Sequence, residues 1–591
     1  MAFIMLHVHI FLLSLLTALT LTASGHSYTK RHVMIPMRDG TRLYTEIYEP
    51  ADTFRHPVLI MRTPYSLRDY GVDTVHMTSF GLDSIYLNHQ YILVRQNVRG
   101  RFLSEGTFMQ VRPFLTAKHG EQYDEATDAY DTVEWLLRHC RTNGKVGFKG
   151  TSYPGFYALM ATLSGHPAIK ATSPQAPVGD WFMGDDVHHN GALMLMDSYS
   201  FGSSFFRKRL QRSAHAMPSL AAVDTTVDLF YLRPISDILS QVLEPGSFWQ
   251  DIVAHPNDDA FWQARRATSG IGAVKPAVMI VGGLYDAEDN YGTWAAWRAI
   301  KSKSPQTPLF LVEAPWYHHG WNDATYQSLD DAWFGVGSAA YFIHNVEYPF
   351  FAYYLEGKGR LPSPVTILPS METEKCKMKD KTSHHLWMSL DTWPPRNMRY
   401  VAFPLQHHTV VSDPDDPVPY YHTLKTKARQ RAYMASDQRF ATKRRDVCST
   451  VGPMLTDTLK LFGPVKVHLF LRTDATDLDV IVKLVDVRPD GYEMLIRGEV
   501  MPARFRKGYE KPLPIKPGRD IALAFIMPDI AHVLLPGHRL MVQVQYTCFP
   551  LIAVNPQTFL SNPYHAVKND YRKATVTLLR KSYIEVPVVE R

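Results

Sequence analysis

Cysteine is scarce and widely scattered. The four thiols, Cys140, Cys376, Cys448 and Cys548, are strewn over a chain of 591 residues. No C-x-x-C pair occurs, which excludes the common cysteine-based metal sites. In an exported chain the four could pair in more than one way, so their connectivity stays open; Cys140 reads as a free core thiol on the apolar face of a helix. An excess of charge of one sign is also missing. The 63 Lys and Arg residues are nearly balanced by 57 Asp and Glu, for a net charge of +6, and no basic run is longer than the three residues of "KRR" at 443–445. That excludes an electrostatic footprint for nucleic acid. No internal repeat and no low-complexity tract is present.

Long hydrophobic runs are absent but for one. Residues 10–22, "IFLLSLLTALTLT", fall short of the roughly 20 apolar residues that span a bilayer. Followed by Ala23-Ser24-Gly25, they fit the apolar region and cleavage site of a signal peptide over 1–25. The preceding "MAFIMLHVH" carries no Lys or Arg, so a buried first helix is the alternative. The expectation is a periplasmic or secreted protein with no membrane span in its mature form.

Hydrophobic residues make up 45% of the chain and aromatic ones 12%, enough for well-packed cores at a length that calls for several domains. "HVMIPMRDGTRLYTEIY" (32–48) reads as two strands joined at Arg38-Asp39-Gly40. "HPVLIMRTPYS" (56–66) and "YILVRQNVRG" (91–100) carry continuous apolar runs suited to interior strands of a covered sheet. "DEATDAYDTVEWLLRHC" (124–140) has helical spacing, capped by Thr127 or an upstream Asp and ended by Asn143-Gly144. Next come a strand at "KVGFKG", a serine turn and a helix at "FYALMATLSG". Strand, helix, strand, turn, helix is α/β grammar. Residues 191–261 lose the alternation and read as an inserted helical cap. Strands return at "AVMIVGG" (277–283) and "PLFLVEA" (308–314). Beyond about residue 385, "VKVHLFLRT" (465–473) and "RLMVQVQYT" (539–547) alternate with period two, which predicts a separate β-sandwich.

The serine turn, Gly150-Thr151-Ser152-Tyr153-Pro154-Gly155, sets Ser152 between two glycines where a strand gives way to a helix. That is the place of a nucleophile elbow, and also of an ordinary tight turn. An elbow requires an acid and then a histidine on loops after later strands. Asp286 follows "AVMIVGG" and His318 and His319 follow "PLFLVEA", in the required order. A serine hydroxyl needs a histidine to take its proton, and a carboxylate to fix the imidazole tautomer.

On these residues the chain resembles the α-amino acid ester hydrolases, grouped with cocaine esterase and X-Pro dipeptidyl-peptidases among the serine hydrolases. "IPMRDGTRLYT", "RTPYS", "VRGRFLSEGTF", "GTSYPGF", "GDWFMGDDVHHNGA", "GLYDAEDNYG", "APWYHHG" and "LDTWPP" carry the likeness. One departure is Asn97 in "VRQNVRG", where relatives usually have Asp. The resemblance implies an α/β-hydrolase domain (26–190 and 262–384) with an inserted helical cap (191–261) and a C-terminal all-β jelly roll (385–591). It implies a catalytic set of Ser152, Asp286 and His318, with His319 as the fallback, and an oxyanion hole from the Tyr153 N–H and the Tyr65 hydroxyl. It places a substrate ammonium among Asp186, Glu288 and Asp289, crowded carboxylates that make sense where a cation is received. The implied activity is cleavage or transfer of α-amino acyl groups of small esters and amides, including side chains of β-lactam antibiotics, with no metal or organic cofactor. Homo-oligomerisation is left open. The rivals are an X-Pro dipeptidyl-peptidase, a glutaryl-7-aminocephalosporanic acid acylase, whose dicarboxylate substrate the acidic cluster should repel, and a carbohydrate- or surface-binding protein on an inactive scaffold.

Overall fold

The computed structural model describes residues 21–23, 26–67, 70–71, 81–209, 211–216, 234–371, 386–422 and 431–590. Most of the expected leader, and Cys376, lie outside them. Among the described residues no helix is long and apolar enough to cross a membrane.

The N-terminal part is built on a mixed sheet. Its strands are β1 (Leu21–Ala23), β2 (His26–Pro36), β3 (Arg42–Pro50), β4 (His56–Thr63), β5 (Ile92–Asn97), β6 (Thr142–Thr151), β7 (Ile169–Gln175), β8 (Ala277–Gly283), β9 (Leu309–Ala314), β10 (Val365–Ile367) and β11 (Met388–Leu390). They lie in the order β1-β2-β3-β5-β4-β6-β7-β8-β9-β10-β11. From β5 through β10 neighbouring strands run parallel, and antiparallel strands close both edges. The central strands are apolar and buried along nearly their whole length, as expected where helices cover both faces. Helix α1 (Glu125–His139) starts at Asp124, whose side chain accepts from the Thr127 N–H in a reciprocal capping box. The upstream Asp is thus the cap and Thr127 its partner. The helix stops at Cys140, and Asn143-Gly144 lies inside β6 rather than terminating α1. Cys140 sits at the half-buried helix end, packed against the core as Val33, Trp135 and Leu137 are, and next to the Arg31 guanidinium; Cys140, Cys448 and Cys548 are free thiols.

Helix α2 (Tyr153–Thr162) follows Ser152 directly. Between β7 and β8 the chain leaves the sheet and forms a short hairpin at His188–Leu193 and helices α3 (Leu195–Phe205), α4 (Ile235–Ser240), α5 (Phe248–Ala254) and α6 (Ala260–Arg265). Helix α7 (Asn290–Lys303) joins β8 to β9.

The C-terminal part is antiparallel. β12 (Leu459–Thr473) pairs with β15 (Asp520–Leu534), while β13 (Asp479–Val487) lies between β14 (Glu493–Pro502) and β16 (Arg539–Gln545) in a second sheet. In β12 the alternation holds, with Val465, Val467, Leu469 and Leu471 all buried. In β16 it does not, because Gln543 and Gln545 are buried as well. Their amide N–H groups donate to Thr442 Oγ1 and to the Thr547 carbonyl, while both side-chain oxygens are buried without a partner among the described residues, so the polar face of this strand is covered rather than solvated. The C-terminal part also reaches the catalytic side of the sheet: the buried Arg497 guanidinium donates to the carbonyl of Leu284, two residues before Asp286.

Candidate active site

Every residue singled out in the sequence leaves the sheet at the carboxyl end of its strands. Tyr65 follows β4, Ser152 follows β6, Asp186 lies in the loop after β7, Asp286 follows β8 and His318 follows β9. Because β6, β7, β8 and β9 are adjacent and parallel, their ends form one rim, where α/β sheets receive ligands.

Ser152 adopts φ 67° and ψ −127°, a left-handed conformation that costs a non-glycine residue about 1–3 kcal/mol. Its neighbours show why glycine flanks it. A Cβ on Gly150 would lie 2.4 Å from the Pro154 carbonyl oxygen, and one on Gly155 would lie 2.5 Å from that of Gln175. Pro154 stands where the usual elbow pattern has its second glycine. The glycine comes one residue later, at the point where α2 crosses β7. The Ser152 N–H is held by the Gln175 carbonyl at 2.9 Å. Beneath the turn, the Gln175 amide and the Lys149 ammonium both donate to the buried Glu347 carboxylate. The Tyr153 N–H stands at the first position of α2, where helix N–H groups have no partner within the helix.

His318, 3% exposed, directs Nδ1 to Asp286 Oδ2 at 2.8 Å. Asp286 Oδ1 accepts from the N–H groups of Glu288 at 2.8 Å and Asp289 at 3.1 Å, which shapes the turn into α7. His319, with φ 71°, is turned the other way; the histidine that meets Asp286 is His318. Burial alone would lower the His318 pKa, but Asp286, Glu288 and Asp186 outweigh it and raise it to about 9.

Tyr65 is half-buried against Phe205. Burial, then the charges of Asp186, Asp289 and Glu288, raise its pKa, so the phenol stays a donor. Asn97 explains its own departure from the related pattern. Its amide donates to the Tyr65 carbonyl at 2.8 Å and accepts from the Tyr70 hydroxyl at 2.8 Å, and a carboxylate there could not make the first bond.

The carboxylates divide by role. Asp185 is fully buried and accepts three backbone N–H bonds, from Gly179 (2.8 Å), Asp180 (2.9 Å) and Gly292 (2.8 Å), tying the loop after β7 to the first turn of α7. Asp186 is partly exposed, with Oδ2 receiving the Trp181 indole N–H at 2.9 Å and its own N–H bound to the Glu288 carbonyl at 2.9 Å. Glu288 lies 3.6 Å from His318 Nε2 through one oxygen and 3.6 Å from the Arg431 guanidinium through the other. Asp289 is 0% exposed, and neither carboxylate oxygen has a hydrogen-bond partner among the described residues. Burial and the surrounding Asp186, Asp185, Asp286 and Glu288 push its pKa upward. Arg431 and Trp181 were not singled out in the sequence. Arg431 stands more than 140 positions from Asp286, and no local pattern connects the two.

A strained serine at a strand-to-helix elbow and a buried Asp–His pair on the same rim, under an antiparallel C-terminal domain, define a serine hydrolase of the α/β type. The chain belongs to the X-Pro dipeptidyl-peptidase (S15) family, whose catalytic model matches residues 39–320; the model of that family's C-terminal non-catalytic domain matches residues 370–568. It is 27% identical to the cocaine esterase of Rhodococcus sp. (strain MB1 Bresler), over 90% of this chain and 93% of the esterase. Among solved structures it is similar to an α-amino acid ester hydrolase (31% identity, TM-score 0.84, 98% of this chain and 100% of that one). It is similar also to an aminopeptidase from a marine sediment Thaumarchaeota archaeon (30% identity, TM-score 0.86, 95% of this chain and 97% of that one).

Proposed function

We propose that this serine hydrolase cleaves, and can transfer, α-amino acyl groups of small esters and amides, β-lactam antibiotic side chains among them. The observation that carries the reading is Asp289. A carboxylate wholly removed from water without a hydrogen bond is costly unless a cation joins it. Asp186 and Glu288 beside it supply further negative charge, and the field of both acts on Tyr65 and on His318.

In this reading Ser152 Oγ attacks the acyl carbon while His318 Nε2 takes its proton. Asp286 holds the Nδ1–H and stabilises the imidazolium. The Tyr153 N–H and the Tyr65 hydroxyl receive the developing oxyanion, donors typically worth about 3–4 kcal/mol each. His318 returns the proton to the leaving oxygen or nitrogen. Water, or the amine of an acceptor, then resolves the acyl-enzyme.

The likeness to an aminopeptidase supports a second reading, a peptide amide as substrate, since a free amino terminus presents the same ammonium. A glutaryl acyl group would bring a carboxylate against Asp186, Glu288 and Asp289 and is disfavoured. The apolar stretch at 10–22 supports export, to the periplasm or the medium, as the setting. The deciding experiment compares rates on phenylglycine methyl ester, phenylacetic methyl ester, glutaryl amides and X-Pro anilides. A clear preference for phenylglycine over phenylacetic ester supports the reading. Equal rates on those two, or a preference for glutaryl amides, would reject it.

A further inference from the structure

The nitrogen that must take the Ser152 proton faces carboxylates instead. With Nδ1 committed to Asp286, His318 Nε2 lies 3.6 Å from Glu288 Oε2 and 4.0 Å from Asp289 Oδ2. The charged and titratable groups around this imidazole come from every element that packs on it. Asp286, Glu288 and Asp289 come from the turn before α7, Asp186 from the loop after β7, and His319 from its own loop. Arg431, from the C-terminal part, donates to the His318 carbonyl at 3.5 Å and approaches Glu288. Carboxylates predominate in this shell, and the one nearest Nε2 belongs to the ammonium cluster rather than to the Asp–His pair.

We infer that the substrate's ammonium switches on the base: by pairing with Glu288 and Asp289 it draws them off His318 Nε2 and frees that nitrogen for the Ser152 proton. Glu288 is then a specificity-determining residue through the base as well as through binding. The inference rests on the α-amino acyl reading of the cluster. The proton balance is simple. Docking of the ammonium releases one proton from Nε2 to solvent. Nε2 next receives the Ser152 proton as the Oγ–carbon bond forms, and passes it to the leaving group as that bond to carbon breaks. The raised pKa agrees with the geometry. Against burial, Asp286 first, and then Glu288 and Asp186, hold the imidazole pKa above its ordinary value, so at pH 7 an acyl group without an ammonium meets a histidine held toward its protonated form. For such a substrate activity should rise with pH up to about 9; for an amino substrate that rise should occur at lower pH.

The test uses p-nitrophenyl acetate, which has no amine, with the full-length enzyme at pH 7. Ethylammonium chloride is titrated in against sodium chloride at matched ionic strength, with Ser152→Ala enzyme as the blank. Expected is a saturable activation of about tenfold or more, with the pH profile moving to lower pH. Glu288→Gln should be faster than wild type on p-nitrophenyl acetate without ethylammonium, should lose most of the activation, and should be slower on phenylglycine methyl ester. If ethylammonium leaves wild type unchanged or inhibits it, while phenylglycine methyl ester is still preferred to phenylacetic methyl ester, the ammonium site stands and the switch is refuted. If that preference is itself absent, the substrate reading fails and takes the switch with it. The wild-type titration decides the matter even if Glu288→Gln does not fold.

Discussion

Asp289→Asn removes one charge from the cluster while keeping shape and volume. An ammonium about 4 Å from a carboxylate gains about 4 kcal/mol at an effective dielectric near 20. Withdrawing both ions from water takes back part of that gain. A further part is lost because burial and the neighbouring Asp186, Asp185, Asp286 and Glu288 disfavour the charged form of Asp289 that pairs with the ammonium. What remains is about 1–2 kcal/mol, or roughly 5- to 30-fold in kcat/KM for phenylglycine methyl ester. Phenylacetic methyl ester lacks the amine and should lose far less, or gain if Asp289 also restrains His318. The assay is a pair of initial-rate measurements, one per ester, on wild type and variant. The advantage of the amino ester should be present below its amine pKa and vanish as pH rises through it, because only the ammonium form pairs with the cluster. Equal losses on the two esters would mean that Asp289 only holds the Asp286 turn in shape, and α-amino specificity would lose its physical support.

Tyr65→Phe deletes one hydroxyl and little volume, so turnover should fall roughly 10²–10³-fold, chiefly in kcat; a variant within a few-fold of wild type would make Tyr65 a packing residue. Asn97→Asp replaces the amide that donates to the Tyr65 carbonyl with a carboxylate. It should cost about 1–3 kcal/mol of stability, read as a lower Tm, and reduce kcat by loosening Tyr65. Asp185→Asn turns an NH₂ toward a backbone N–H that now has an acceptor. A loss of about 1–3 kcal/mol is expected, with KM rising more for phenylglycine than for phenylacetic ester as the loop and α7 drift apart. An Asp185→Asn enzyme with unchanged Tm and kinetics would show that the three bonds do not set the cluster.

The parts of the site legible in the sequence were those that chain order announces. Ser152, Asp286 and His318 each follow an apolar strand signal, and the parallel sheet converts that order into one rim. Spacing alone allowed His318 or His319; in space it is His318 whose Nδ1 meets Asp286 Oδ2 at 2.8 Å. Local signals do not divide Asp185 from Asp186, because adjacent residues share them, and only the resemblance favoured Asp186. The fold separates their contacts: Asp185 ties down three backbone N–H groups, while Asp186 meets the Trp181 indole and the Glu288 carbonyl. Arg431 was invisible for a plainer reason: it comes from the other domain, and long-range contacts leave no periodic trace. The same limit applies to β16. Alternation announced the strand, but a covering segment buries its polar face, and covering segments are not written into a strand's own pattern. Asn143-Gly144 reads as a helix stop, yet the helix has already ended at Cys140 and the pair lies within the next strand.

The central proposal, an α-amino acyl-enzyme on Ser152, is tested most directly by quenching the enzyme with acid during turnover of phenylglycine methyl ester and mapping the adduct by peptide mass. A phenylglycyl group on Ser152 is expected, absent from Ser152→Ala, and much less abundant when phenylacetic methyl ester at the same concentration replaces the amino ester. An adduct on another residue, or turnover that persists in Ser152→Ala, would contradict it.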